Sequence, residues 1–398
     1  MKLAVVYDTG SLAPTRIAKA AAEIDCELVF AVADSPHARD MLPTLELLGA
    51  VVPADAVSLK AHRPDGIVTF SEPQLRPTTV LAEALGLPYH APADIDAITR
   101  KDRQRARFAE RGVPGVRFHT VTSVDDVDEA VAHVGLPAVI KPVLGAGSRN
   151  TTLVRTEEEC REWAARALAA EESVMLEEFL VGRPTPHPWG DYIAVDCVAD
   201  DDLVRPVFVT SKFSLAEPFR ERGGYGGRSV VPDDEVREVE DLACRAVHAL
   251  GIRRGVADVE IKLTADGPRV IEVNGRLGAW VDDLAVRSST SDPAAVAVRS
   301  AVGADVELDP RYDGPIAFNY LVLPPASARR VKAIHGVPKL RRAPHVDRVT
   351  VLSAPGASAD WRIGTQSHVA ALQGLVDTHD ELAAAVAAIE EVDWIDYE

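Results

Sequence analysis

Cysteine is scarce in this chain: Cys26, Cys160, Cys197 and Cys244 stand far apart, and no CxxC pair occurs. Such spacing excludes a zinc ribbon and a disulfide framework and fits reduced thiols. Long apolar runs are missing too. The run Leu3–Tyr7 ends at Asp8, too short for a signal-peptide core, and no stretch approaches the ~18 apolar residues of a membrane span. A soluble, cytoplasmic protein with no membrane partner is expected. Positive charge is outnumbered, with 43 Lys and Arg against 61 Asp and Glu for a formal net charge of −18. A phosphate backbone needs a concentrated basic face, so nucleic acid is excluded as a partner. No glycine fingerprint follows the first strand, where Asp8-Thr9-Gly10-Ser11 is a single-glycine turn, which argues against a dinucleotide oxidoreductase. Neither an internal repeat nor a low-complexity tract is visible.

What is present is a chain of 398 residues, 47% apolar, too long for one compact core. Short apolar strands at Leu3–Tyr7, Leu28–Ala33 and Gly66–Phe70 alternate with helix-period segments at Arg16–Ile24, Leu42–Leu48 and Thr79–Leu85, so residues 1–97 read as a small open α/β lobe. A charged helix Ile98–Arg111, stopped by Gly112-Val113-Pro114, opens a second unit over 98–181. It carries strands Ala138–Pro142, Thr152–Arg155 and Val174–Leu180. The segment 182–190 holds three prolines and two glycines and marks a loop. A third unit, 182–303, has strands at 192–199, 204–212, 256–263 and 268–273, a glycine-rich stretch at 223–227 and a helix at 233–250. The remainder, 304–398, alternates strands with one late helix, Asp380–Ile389. The fold class is α/β (α+β).

The sharpest pattern lies between Gly255 and Arg276. Asp266-Gly267 is a turn pair between two alternating apolar runs, so Glu260 and Glu272 fall opposite each other on neighbouring strands. Facing like charges are costly unless a cation lies between them. Two carboxylates plus the amide oxygen of Asn274 make a hard oxygen set that suits Mg²⁺ carrying substrate phosphates, with Mn²⁺ as an alternative. Arg276 continues the parity and places a guanidinium where charge develops in a transferring phosphoryl group or tetrahedral adduct. Parity alone also leaves open a charged surface hairpin. Lysine is rare in this arginine-rich chain, so Lys141 inside the apolar run Pro137–Pro142 stands out as a compact ammonium suited to phosphates. Just beyond it, Gly145-Ala146-Gly147-Ser148-Arg149 is a small-residue turn whose N–H groups could close over phosphates.

Taken together, Glu260-x11-Glu272-x-Asn274-x-Arg276 resembles the metal and catalytic motif of the ATP-grasp superfamily, and Lys141 with the glycine turn resembles its mobile phosphate loop. Asn150 stands where many relatives have glycine. The resemblance implies an ATP-grasp fold with an N-terminal pre-ATP-grasp lobe, two α+β lobes that sandwich ATP and a small C-terminal lid lobe. It implies ATP contacts from Lys101, Lys141, Gly145, Gly147 and Ser148. Glu177 and Glu178 would lie near the adenine amino group and ribose, backbone from Glu178 through Phe179 to Leu180 would read the adenine edge, and Asp191 would reach the ribose. Ser211-Lys212-Phe213, Pro218–Gly223 and the Asn-x-Arg-x-Gly-x-Trp run ending at Trp280 are most similar to bacterial L-amino-acid ligases of the bacilysin-synthetase type. That likeness implies an amide-forming ligase working through an acyl phosphate on amino-acid substrates. Glu221 would bind a substrate ammonium, Arg276 the acyl-phosphate oxygens, and Gly278 and Trp280 would wall the first amino acid. It also admits a homodimer. The competing expectations are a carboxylase-like or purine-pathway ligase and a non-catalytic nucleotide binder of the same fold.

Overall fold

The computed structural model describes residues 1–398. Its first sheet is parallel, with β1 (Lys2–Tyr7), β2 (Glu27–Val32), β3 (Ala50–Pro53) and β4 (Gly66–Val68) in the order β3-β2-β1-β4. The strand β3 escapes sequence reading because four residues ending in proline are too few for a periodic pattern. Flanking helices Pro14–Ala22 and Pro36–Leu48 start earlier than their apolar periodicity suggests. Each places proline at the first helical position, where the missing N–H has no helical partner to lose.

The second sheet is antiparallel: β5 (Phe118–Val121), β6 (Ala138–Pro142), β7 (Thr152–Val154) and β8 (Val174–Glu178), ordered β5-β8-β6-β7. Ala138, Ile140, Val174 and Leu176 pack with helices Val127–Val134 and Glu157–Leu168. Two-residue alternation then turns Lys141 and Glu177 to the other face.

The third sheet has eight antiparallel strands. They are β9 (Trp189–Asp200), β10 (Leu203–Phe213), β11 (Gly223–Gly226), β12 (Arg254–Thr264), β13 (Gly267–Asn274), β14 (Ile316–Val322), and, past the separate strand β15 (Val331–Ile334), β16 (Val346–Val351) and β17 (Ala370–Val376). Their order is β13-β12-β9-β10-β11-β14-β17-β16. The segment beyond residue 304 therefore supplies three strands to this sheet, while β15 pairs with β18 (Ile395–Tyr397). The glycine-rich stretch is the strand β11 rather than a loose turn. A Cβ on Gly224 would lie 2.5 Å from the Ser211 carbonyl, and one on Gly226 2.4 Å from the Phe208 ring.

On β9 and β12, Ile193, Val195, Val259, Ile261 and Leu263 face helix Asp233–Ala249 and its Val239, Leu242 and Ala246. Each such side chain contributes about 1.5–3 kcal/mol on burial. The alternate residues Asp258, Glu260 and Lys262 are left to face a cavity. The charged helix expected over Ile98–Arg111 is two helices, Ile95–Thr99 and Lys101–Arg111, broken at an extended Arg100. The break has a cause: the Lys101 N–H donates to the Val143 carbonyl at 3.1 Å, and Gln104 bonds both Ile98 and Val273 backbone. Docking this junction between the second and third sheets fixes Lys101 at the cavity. No helix is long and apolar enough to cross a membrane.

Candidate active site

One cavity of about 240 Å³ lies between the second and third sheets. Four of the chain's nine lysines line it: Lys101, Lys141, Lys212 and Lys262.

Its first end lies beneath the β6–β7 turn. Lys141 Nζ is 2.7 Å from Glu177 Oε2, Arg105 Nε is 2.7 Å from Glu177 Oε1, and Lys101 Nζ reaches Glu272 at 2.7 Å and the Gly145 carbonyl at 2.5 Å. Burial works to raise the Glu177 carboxyl, but Arg105 and Lys141 outweigh it and hold it below the usual range; Lys101 and Lys141 do the same for Glu272. Burial lowers the Lys141 ammonium, with Arg105 and Lys101 adding to that effect against Glu177. The two partners thus shift unevenly. Both directions follow from three cations sharing two carboxylates, an arrangement short of one anion. Gly147, Ser148 and Asn150 adopt left-handed φ values of 66°, 57° and 51°. Asparagine tolerates that region better than most residues, which accounts for Asn150 at a glycine-favouring position.

Glu177, expected near the adenine and ribose, lines the cavity between Arg105 and Lys141 with both oxygens engaged. Glu178 bonds Arg117 at 2.5 Å and Arg269 at 3.0 Å. Phe179 and Leu180 line the cavity, with the Phe179 ring 6.2 Å from Phe219. Asp191 is not in the lining; it pairs at 2.7 Å with Lys262, which is.

The second end is carboxyl-rich. Glu260 pairs with Glu272 across β12 and β13, and the next row runs Asp196–Asp258–Asn274 over three strands. A bulge at Ile271 lets both Ile271 and Glu272 line the cavity, as bulges beside functional sites commonly do. Asn274 Nδ2 donates to Asp258 Oδ2 at 3.1 Å, and the Gly278 N–H donates to Asp196 Oδ1 at 2.7 Å. Arg276 lies 3.5 Å from Glu72 and 3.6 Å from Asp258. Lys212 is paired to Glu221. Burial pushes the Glu260 carboxyl up to about 8, with Lys212 opposing and Asp258, Glu221 and Glu272 adding to the rise. Glu72, Asp196 and Asp258 are raised too, burial being the main cause in each. Burial works against the Lys212 ammonium, yet Glu221, Glu260 and Asp258 hold it above its usual value. Trp280 lines the cavity with a left-handed φ of 62°, and its ring stands edge-on to His368.

Glu72, Asp196, Glu221, Asp258 and Glu260 thus outnumber the cations set against them, chiefly Lys212 and Arg276. One Asp258 oxygen and one Asp196 oxygen are buried without a partner. Buried carboxyls in such excess accommodate a hard cation. No three His, Cys, Asp or Glu side chains close on one point. Glu260, Glu272 and Asn274 line the cavity here, and theirs are the oxygen-bearing side chains that would hold such a cation.

Residues 125–280 match the family model for the ATP-grasp domain. That stretch, less than half of the chain, is similar to an ATP-grasp domain. Over its full length the fold superposes on the crystal structure of an L-amino acid ligase from Bacillus licheniformis with a TM-score of 0.75 at 21% identity, covering 100% of this chain and 98% of that one. Carnosine synthase 1 of Mus musculus is 28% identical over 58% of this chain and 30% of its own length. Alanine–anticapsin ligase of Bacillus subtilis is 26% identical over 54% of this chain and 49% of its own. The chain thus spans about a third to a half of these curated relatives. A further structural neighbour, carboxyaminoimidazole ribonucleotide synthase from Aspergillus clavatus complexed with ATP, has a TM-score of 0.71 at 14% identity over 98% of this chain and 97% of its own.

Four groups in or beside the cavity escape motif reading: Glu72, Asp196, Asp258 and Thr365. Asp258 carried a usable signal by sharing the parity of Glu260. Glu72, Asp196 and Thr365 reach the site from distant segments, which only tertiary structure brings together.

Proposed function

We propose that this protein is an ATP-dependent ligase that joins the carboxylate of one amino acid, or amino-acid-like substrate, to the amine of another. The supporting observation is the division of one cavity into a cation-rich end beneath the glycine loop and a carboxyl-rich end at β12 and β13, with Arg276 at the second. Lys101, Lys141 and the N–H groups of Gly145, Gly147 and Ser148 hold the ATP phosphates, while Phe179 and Leu180 flank the adenine and Glu178 lies beside it. Mg²⁺ or Mn²⁺ held by Glu260, Glu272 and Asn274 would neutralise phosphate charge when bound. A substrate carboxylate oxygen attacks the γ-phosphorus, releasing ADP and giving an acyl phosphate. The amine then attacks the acyl carbon, and phosphate leaves with the oxygen that made the first bond. Arg276 binds the oxygens on which negative charge accumulates. Glu221 accepts the ammonium of the first amino acid, and Gly278 and Trp280 wall its side chain.

The test is an ADP-release screen of the purified protein with Mg-ATP against all pairs of amino acids, recording product masses. At least one pair should stimulate release and yield a mass equal to the sum of the pair less water. Silence from every pair, with wild type and Glu272→Ala binding ATP alike, would sink the reading. Stimulation by bicarbonate alone would replace it with a carboxylase-like reaction.

A further inference from the structure

Thr365 uses all its polar atoms to join parts of the site that are distant in the chain. Its N–H donates to the Gly147 carbonyl at 2.8 Å, in the turn under which the phosphates are placed. Its Oγ1 accepts the Glu221 N–H at 3.1 Å. Its carbonyl accepts the His368 N–H at 3.1 Å and lies 2.7 Å from His368 Nδ1, and the His368 ring meets Trp280 at 6.4 Å. The residue is 5% exposed and lines the cavity. A second bond ties the same segments, from the Asn150 N–H to the Arg362 carbonyl at 3.0 Å. Their close approach depends on Gly364, which has a φ of 81° and whose added Cβ would lie 2.0 Å from the Gly147 carbonyl.

We propose that Thr365 is a positioning residue that couples closure of the glycine loop to occupation of the amino-acid pocket. This rests on the reading of the two ends as nucleotide and amino-acid sites. The bond to Gly147 exists only while the loop is down against the Trp361–Ser367 segment, and that segment is the one holding Glu221 and, through His368, Trp280. A ligand ordering either side therefore favours the conformation the other ligand needs, and such coupling is reciprocal.

The test measures binding of AMP-PNP with Mg²⁺ by calorimetry, with and without a pool of the twenty protein L-amino acids. In wild type the pool should tighten nucleotide binding about tenfold, and in Thr365→Val this ratio should fall below about twofold. Thr365→Ser, which keeps the hydroxyl, should restore it. A threonine with a purely structural role would lower the melting temperature and leave the ratio intact, so an intact ratio in Thr365→Val overturns the proposal. If that variant does not fold, Gly364→Ala reads the same link: the ratio is expected to vanish, and its retention overturns the proposal. A wild type that releases ADP with amino acids yet shows no ratio overturns the coupling and leaves the ligase reading standing. A wild type that releases ADP with no pair overturns both.

Discussion

The two ends of the cavity solve opposite electrostatic problems within one cleft. Under the glycine loop, Glu177 and Glu272 are held below the usual carboxylate range by Arg105, Lys101 and Lys141. At the far end Glu72, Asp196, Asp258 and Glu260 are all raised. Burial acts on both sets in the same direction, so the difference comes from the ratio of cations to carboxylates. One end is short of an anion and the other of a cation, which is the demand that a metal–nucleotide complex meets.

The contrast can be broken most forcefully at Arg276. Arg276→Ala should lower kcat by about 10²–10³ while leaving nucleotide affinity near wild type. A parallel loss of nucleotide affinity would erase the distinction between the ends. Lys141→Met attacks the other end: losing a charged hydrogen bond of about 1.5–3 kcal/mol should weaken AMP-PNP binding roughly 10- to 100-fold in calorimetry. Amino-acid KM should move far less. Asp258→Asn loosens the Asn274 side chain and should raise the Mg²⁺ concentration for half-maximal activity by about 10- to 100-fold, as support of a metal ligand usually does. An unchanged Mg²⁺ requirement would remove Asp258 from the centre.

The smallest effect is in pH. The folded, metal-free protein keeps a proton on Glu260 up to about 8, whereas the unfolded chain releases it near 4.5. Folded protein therefore binds more protons in that window, and this contribution to stability is lost as pH rises through it. Mg²⁺ with AMP-PNP relieves the clustered charge, so the gain in Tm it produces should be larger at about pH 8.5 than at about pH 6. An equal or smaller gain at the higher pH contradicts the assignment.

Much of this was legible in the sequence where the chemistry is local. The β12–β13 hairpin follows from Asp266-Gly267 and two-residue alternation, and Lys141 stands out by rarity in an apolar strand. Glu177 is legible only in part. It lies on the cavity face of β8, but nothing in sequence says that Arg105, four residues after Lys101, reaches it from a helix. The row Asp196–Asp258–Asn274 needs the pairing of β9 with β12, a long-range register that periodicity cannot supply. The strand at Gly223–Gly226 hid for a related reason. Its glycines are required by the nearness of neighbouring strands and helices, and glycine composition by itself reads as a turn.

The division of the cavity is tested most directly by following oxygen. With an accepted amino acid whose carboxylate is labelled with ¹⁸O, one labelled oxygen per turnover should appear in the released phosphate, because the carboxylate attacks phosphorus and departs with it. Phosphate free of label while amide accumulates would contradict the acyl-phosphate route, and with it the assignment of Arg276 and the two ends of the site.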